Sequence, residues 1–112
     1  MNIKHVTVAG GGVLGSQIAF QTAYSGFPVN LYDISDEALD KAKEKIRAWQ
    51  EAYKRDLGAT EEEVEKAYNN LTFYTDLEKA VKGADLVIEA VPEVYDIKAN
   101  FYKNRFFVKW CW

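Results

Sequence analysis

Two hydrophobic periods alternate along this chain. Ile3-Lys4-His5-Val6-Thr7-Val8-Ala9 is rich in β-branched residues, as a strand buried in a parallel sheet requires. Past the glycines that follow, the period turns helical. Leu14, Ile18, Thr22 and Ser25 share one face, with the small Ala19 and Ala23 beside them, and Gly26 suits the position that closes a helix. Pro28-Val29-Asn30-Leu31-Tyr32 predicts a second strand that ends at Asp33. Ser35 then reads as an N-cap, with Asp36 and Glu37 near the positive end of the helix dipole. The helix it opens carries Ala38, Ala42, Ile46, Trp49 and Tyr53 on one face, until Gly58 interrupts it.

The second half continues the alternation. Thr60 and Glu63 have the T-x-x-E spacing of a capping box and predict a short helix through Tyr68. Leu71-Thr72-Phe73-Tyr74 predicts a third strand, and Thr75 with Glu78 repeats the capping-box spacing before a short helix closed by Gly83. Asp85-Leu86-Val87-Ile88-Glu89-Ala90-Val91 predicts a fourth, strongly apolar strand. Pro92 sits where a helix N1 proline would, and the chain reads as helical from Glu93. Strands alternating with helices imply a parallel sheet with right-handed crossovers. The expected fold class is therefore α/β, a parallel sheet of about four strands.

Length and charge narrow the function classes. At 112 residues the chain makes one small domain, and 48% hydrophobic content is enough for a core. A net charge of -3 argues against nucleic acid as a partner, which draws on a basic surface. Apolar runs fall well short of the ~20 residues of a membrane helix. The N-terminus enters a strand without a signal-peptide pattern, so a cytoplasmic, reducing location is expected. The single cysteine, Cys111, excludes an intrachain disulfide and any multi-cysteine metal site.

The chemistry lies in Gly10-Gly11-Gly12-Val13-Leu14-Gly15, which is G-x-G-x-x-G. It follows a strand and opens a helix, and the next strand ends in an acid, Asp33, 18 positions after Gly15. That is the context of a dinucleotide-binding fingerprint, with the acid about 20 residues on. Gly10 permits the tight turn, Gly12 lets the backbone approach a pyrophosphate, and Gly15 lets the helix lie close to the strand. The helix start offers free N–H groups to phosphate. Asp33 suits both ribose hydroxyls and repels a 2′-phosphate, so the expected cofactor is NAD rather than NADP. An FAD domain shares the fingerprint, but a chain this short lacks the rest of an FAD site.

These residues carry a resemblance. Val8 to Gly15, Leu31-Tyr32-Asp33-Ile34-Ser35, and above all Ala84-Asp85-Leu86-Val87-Ile88-Glu89-Ala90-Val91-Pro92-Glu93, resemble the N-terminal domain of 3-hydroxyacyl-CoA dehydrogenases. The resemblance covers Ile3 to Lys103, and only about the first third of a complete family member. It implies a Rossmann fold and NAD-dependent oxidation of L-3-hydroxyacyl-CoA to 3-ketoacyl-CoA in fatty acid metabolism. It implies that Gly10, Gly11, Gly12, Val13, Leu14, Gly15 and Asp33 hold the ADP half of the cofactor, and that Glu93 and Lys98 lie near the nicotinamide. Read without the resemblance, Glu93 is a first-turn acid and Lys98 a solvated lysine. Val94 departs from the asparagine common after the glutamate.

The same resemblance shows what this stretch lacks. The family's catalytic histidine and glutamate lie beyond its match, as does the helical C-terminal domain with part of the acyl-CoA site. The only histidine is His5, in the first strand, and it matches no catalytic position. The expectation is a truncated NAD-binding domain over residues 1–104, with no catalytic residue, that binds cofactor without turnover. Two other readings stand beside it: a non-catalytic nucleotide-binding or self-associating module, and a related hydroxy-acid or sugar-acid dehydrogenase domain. Residues 105–112 form an atypical aromatic tail in which six of the last seven residues are apolar. It points to a frameshift or early stop rather than a membrane anchor, for which seven residues are too few. Without further strands the fourth would be an open apolar edge, which the tail would cover in its own chain or in a partner copy.

Overall fold

The computed structural model describes residues 3–90 and the strand at 106–110. The elements run β1 (Val6–Ala9), α1 (Val13–Tyr24), β2 (Val29–Tyr32), α2 (Asp36–Leu57), α3 (Glu61–Asn69), β3 (Leu71–Tyr74), α4 (Leu77–Val81), β4 (Leu86–Ala90) and β5 (Phe106–Trp110). Among the described residues the sheet has five strands in the order β3-β2-β1-β4-β5. Every pairing is parallel. This is the Rossmann arrangement of an α/β domain, with the strand order turning back between β1 and β4.

Alternation along the strands sorts the layers. Val6 and Val8 of β1, and Val29 and Leu31 of β2, join the core formed with α1, α2 and α3. Their intervening neighbours face the other way. There the Thr7 hydroxyl and the Asn30 amide both donate to the carbonyl of Ala80 in α4. Among the described residues, three helices thus cover one face and α4 the other.

Local signals account for most boundaries. The Ser35 hydroxyl accepts from the Ala38 N–H at 3.1 Å, and Gly58 ends α2 in the left-handed conformation at φ +69°. At α3 both capping-box bonds form between Thr60 and Glu63, at 2.8 and 3.1 Å. Two expectations shift. The cap of α4 is Asp76, not Thr75, because the Asp76 carboxylate accepts from the Lys79 N–H. The buried side of α1 is Gly15, Ser16, Ala19, Phe20 and Ala23, not the face through Leu14, Ile18, Thr22 and Ser25. Ala19 and Ala23, expected beside that face, are buried together with the larger Phe20, and Ile18 packs against the core from the side.

Side chains tie the helices together. Tyr53 of α2 meets Phe20 and Tyr24 of α1 edge-on, with ring centroids 4.9 and 5.0 Å away. Arg47 bonds Glu65 at 2.8 Å and lies 3.8 Å over the Tyr68 ring, while buried Gln50 donates to the Val64 carbonyl at 2.8 Å.

Residues 106–110, set apart from the domain in the sequence reading, are a strand of the sheet. Leu86 pairs with Phe106 and Ala90 with Trp110, so this run covers the β4 edge within its own chain. No helix among the described residues is long and apolar enough to cross a membrane. The helix expected from Glu93 lies outside the described residues.

Candidate functional site

The C-terminal ends of β1, β2 and β4 converge because their register puts Ala9 between Tyr32 and Glu89. The chain leaving β1 therefore enters the glycine loop beside the crevice where the strand order reverses, the usual ligand position in open α/β sheets.

Gly10 makes the turn at φ +110°, where L side chains are strained, and its N–H donates to the Tyr32 carbonyl at 2.8 Å. A Cβ on Gly15 would stand 1.7 Å from the Gly10 carbonyl oxygen, so α1 can start this close only with glycine there. Gly12 is different. A Cβ there would meet nothing within 4 Å, so the space beside it is open. Gly12 is also the N-cap of α1 and gives no side-chain cap, and the first turn holds no acid. The first N–H groups, through Val13 and Leu14, are left for an anion.

Asp33 stands across the loop, placed by its N–H bond to the Tyr74 carbonyl at 3.1 Å. Its Oδ2 accepts from the Gly11 N–H at 2.8 Å and its Oδ1 from the Ile34 N–H at 2.7 Å. An ionised carboxylate has about four acceptor positions, so each oxygen keeps capacity for a ligand hydroxyl. Cradle and carboxylate fit a dinucleotide: open backbone and a helix start for the pyrophosphate, and a partly engaged acid for a ribose diol.

Two neighbours escaped the sequence reading. Ser16 is fully buried, and its hydroxyl donates to the Gly11 carbonyl at 2.7 Å while its N–H bonds the Gly12 carbonyl at 2.9 Å. Its only signal was a hydroxyl on what proves to be the sheet side of α1. Ala42 of α2 lies against Gly11, where a Cβ would come within 2.7 Å of the Ala42 methyl. In the sequence it read only as a core position of its helix.

The structure brings Gly10, Gly11, Gly12, Val13, Leu14, Gly15 and Asp33 together at the C-terminal end of the strands. Glu93 and Lys98 lie outside the described residues. His5 is exposed before the first residue of β1, at the opposite end of the strand from the loop. Among the described residues no cluster of three or more His, Cys, Asp or Glu side chains is placed to hold a metal ion.

Comparison with known proteins accords with this geometry. Residues 5–105 match the family model for the NAD-binding domain of 3-hydroxyacyl-CoA dehydrogenase. Human mitochondrial hydroxyacyl-coenzyme A dehydrogenase is 35% identical over 107 residues, covering 91% of this chain and 34% of that protein. A probable 3-hydroxybutyryl-CoA dehydrogenase of Bacillus subtilis is 38% identical over 108 residues, covering 93% and 36%. Among solved structures, a diketoreductase described as a catalyst on dicarbonyl compounds superposes with a TM-score of 0.86 at 44% identity, covering 97% of this chain and 42% of that one. The chain spans about a third of the length of the curated relatives it matches. With a family model covering nearly all of it and a glycine cradle facing an acid at the head of the sheet, the chain belongs to the 3-hydroxyacyl-CoA dehydrogenase family and carries its N-terminal NAD-binding domain.

Proposed function

We propose that this chain holds NAD(H) for the interconversion of L-3-hydroxyacyl-CoA and 3-ketoacyl-CoA, with Gly10 to Gly15 at the pyrophosphate and Asp33 at the adenosine ribose. Bound NAD supplies the hydride acceptor; the chain binds and orients it. The observation that carries the reading is the position of Asp33, held by the Gly11 N–H across a loop whose Gly12 side is open. A carboxylate there accepts two hydroxyls and repels a 2′-phosphate, which favours NAD over NADP. Glu93 and Lys98 are assigned to the nicotinamide end on family resemblance.

The same reading has the chain bind cofactor without turning over substrate. Loss of hydride from a hydroxyl needs a base for its proton. Among the described residues the one histidine, His5, sits at the far end of β1 from the loop. The likeness to the diketoreductase favours a second substrate class, a dicarbonyl compound in place of a thioester.

Calorimetric titration with NADH and NADPH, with Asp33→Ala as control, tests the binding. Saturable NADH binding, weaker NADPH binding and loss of the difference in Asp33→Ala are expected. No binding of either nucleotide overturns the proposal. Following NADH oxidation with a 3-ketoacyl-CoA and with a diketone separates the substrate classes, and no oxidation with either is the outcome expected of the chain by itself.

A further inference from the structure

Gly11 is the variable position of G-x-G-x-x-G, and the fingerprint alone asks nothing of it. In this chain two contacts constrain it. A Cβ would stand 2.7 Å from the Ala42 methyl and 3.0 Å from Asp33 Oδ2. Its backbone φ is not in the left-handed region, so alanine would be excluded only by what it touches. Ala42 is fully buried in the core with Ile46 of the same helix and has no rotamer to escape into. The carboxylate of Asp33 is the partner that can turn, and doing so breaks the 2.8 Å bond from the Gly11 N–H.

We propose that Gly11 and Ala42 together are a cofactor-selectivity pair: the glycine seated on the α2 methyl holds the Gly11 N–H where it fixes Asp33 in its NAD-selective position. Ala42 touches no cofactor and is a positioning residue, acting through the loop. A small residue at both positions lets loop, acid and helix close on one another, so the identity of a core residue on α2 sets which nucleotide the opposite surface prefers. This deepens the proposed function and rests on Asp33 meeting the ribose.

The test is the ratio of NADH to NADPH affinity in Gly11→Ala, Ala42→Gly, the double variant and Asp33→Ala, with a melting curve for each. Gly11→Ala is expected to lose NADH affinity about tenfold and NADPH affinity by less, so that the ratio narrows. The double variant removes the 2.7 Å contact with the Ala42 methyl and lets the loop shift toward α2, which relieves the 3.0 Å contact with Asp33 Oδ2 as well, and it is expected to regain the ratio. If Gly11→Ala does not fold, the double variant alone carries the test, and it must keep a ratio close to that of the unaltered chain. An equal loss for both nucleotides in Gly11→Ala is what disturbed packing alone would give, and it overturns the proposal. So does a double variant that melts normally with the ratio still narrowed. A narrowed ratio in Asp33→Ala with an unmoved one in Gly11→Ala ends this inference and spares the proposed function. An unmoved ratio in Asp33→Ala, or no nucleotide binding by the unaltered chain, ends both.

Discussion

Two aspartates hold the two ends of the same sheet. At the C-terminal ends of the strands, Asp33 accepts one backbone N–H on each oxygen, from Gly11 and from Ile34. At the N-terminal ends, Asp85 accepts two on a single oxygen, from Lys4 at 2.8 Å and His5 at 3.0 Å. The bonds are of one chemical kind, and both residues are half-buried. What differs is the neighbourhood. Asp33 stands by the loop that leads into an uncapped helix start and the open side of Gly12, and each of its oxygens keeps acceptor capacity. Asp85 closes β4 against the entry to β1, where the Asp85 N–H also bonds the His5 carbonyl at 2.9 Å. One clamp leaves capacity for a ligand and the other stitches two strands. A residue's role is set by the end of the strand on which it falls.

The sharpest way to break the contrast is to damage the loop end alone. Gly15→Ala puts a methyl 1.7 Å from the Gly10 oxygen, with backbone on both sides and no flexible atom to yield. Nucleotide binding should vanish and stability should fall by about 3 kcal/mol, as overpacked sites do. Titration and urea unfolding on one sample measure both. A bound, normally stable variant would mean that α1 can move off the strand, contrary to the close approach described above.

Asp33→Ala should cost less stability and act more selectively. Charge-assisted hydrogen bonds of this kind contribute about 1.5–3 kcal/mol, so NADH affinity should drop roughly tenfold to a hundredfold. The melting temperature should fall less than in Gly15→Ala, because removing the carboxylate leaves room for water beside the freed N–H groups at the C-terminal end of the sheet. A large drop in melting temperature with an unchanged nucleotide preference would place Asp33 beside Asp85 as a structural clamp.

The contrast also marks how far the sequence could be read. Gly10, Gly15 and Asp33 were legible because their chemistry admits no substitute: a positive φ, a backbone contact and an acceptor-only group. Ser35, Thr60 and Glu63 were legible because capping acts across three residues of chain. Where the outcome depended on residues far apart in sequence, the reading gave out. On α1 the small Ala19 and Ala23 were read as close-packing positions and are buried, but the apolar spacing through Leu14 and Ile18 did not single out Phe20 beside them. Ser16 and Ala42 acquire their parts only when α1 and α2 come against the loop. Residues 106–110 were set apart because they do not resemble the family, yet the open edge of the fourth strand already pointed to their partner, and of the two coverings expected, own chain or partner copy, the pairing with β4 is within the chain. Asp76 displaced Thr75 as a cap by a single step, within the ordinary uncertainty of helix boundaries.

A site at neither end of the sheet gives a scale for the remaining effects. Thr60→Ala removes the hydroxyl that accepts from the Glu63 N–H, and with it half of the α3 capping box. Caps of this kind contribute about 1 kcal/mol, which should lower the melting temperature by about 4 °C and leave nucleotide preference untouched. A shift in the NADH to NADPH ratio would mean that α3 communicates with the loop through the core it shares with α1 and α2.

The smallest effect expected is that of Asp85, and pH exposes it. The N–H groups of Lys4 and then His5 stabilise its ionised form and hold its pKa below the ordinary 3.8. A carboxylate whose folded pKa lies below its unfolded one adds stability that is fully present above the unfolded value. That stability is lost as pH falls through the folded value, because the protonated group no longer accepts both bonds as an anion. Asp85→Asn keeps an acceptor oxygen but cannot ionise, so it should be less stable than the unaltered chain near pH 7, and the gap should close toward pH 3. Asp33→Ala, compared in the same way, should show its main deficit in nucleotide binding. Urea midpoints for the unaltered chain and Asp85→Asn at both pH values decide the matter. A gap that stays constant between them would mean the two backbone bonds do not depend on the charge of Asp85, and the clamp at the foot of the sheet would be one of shape alone.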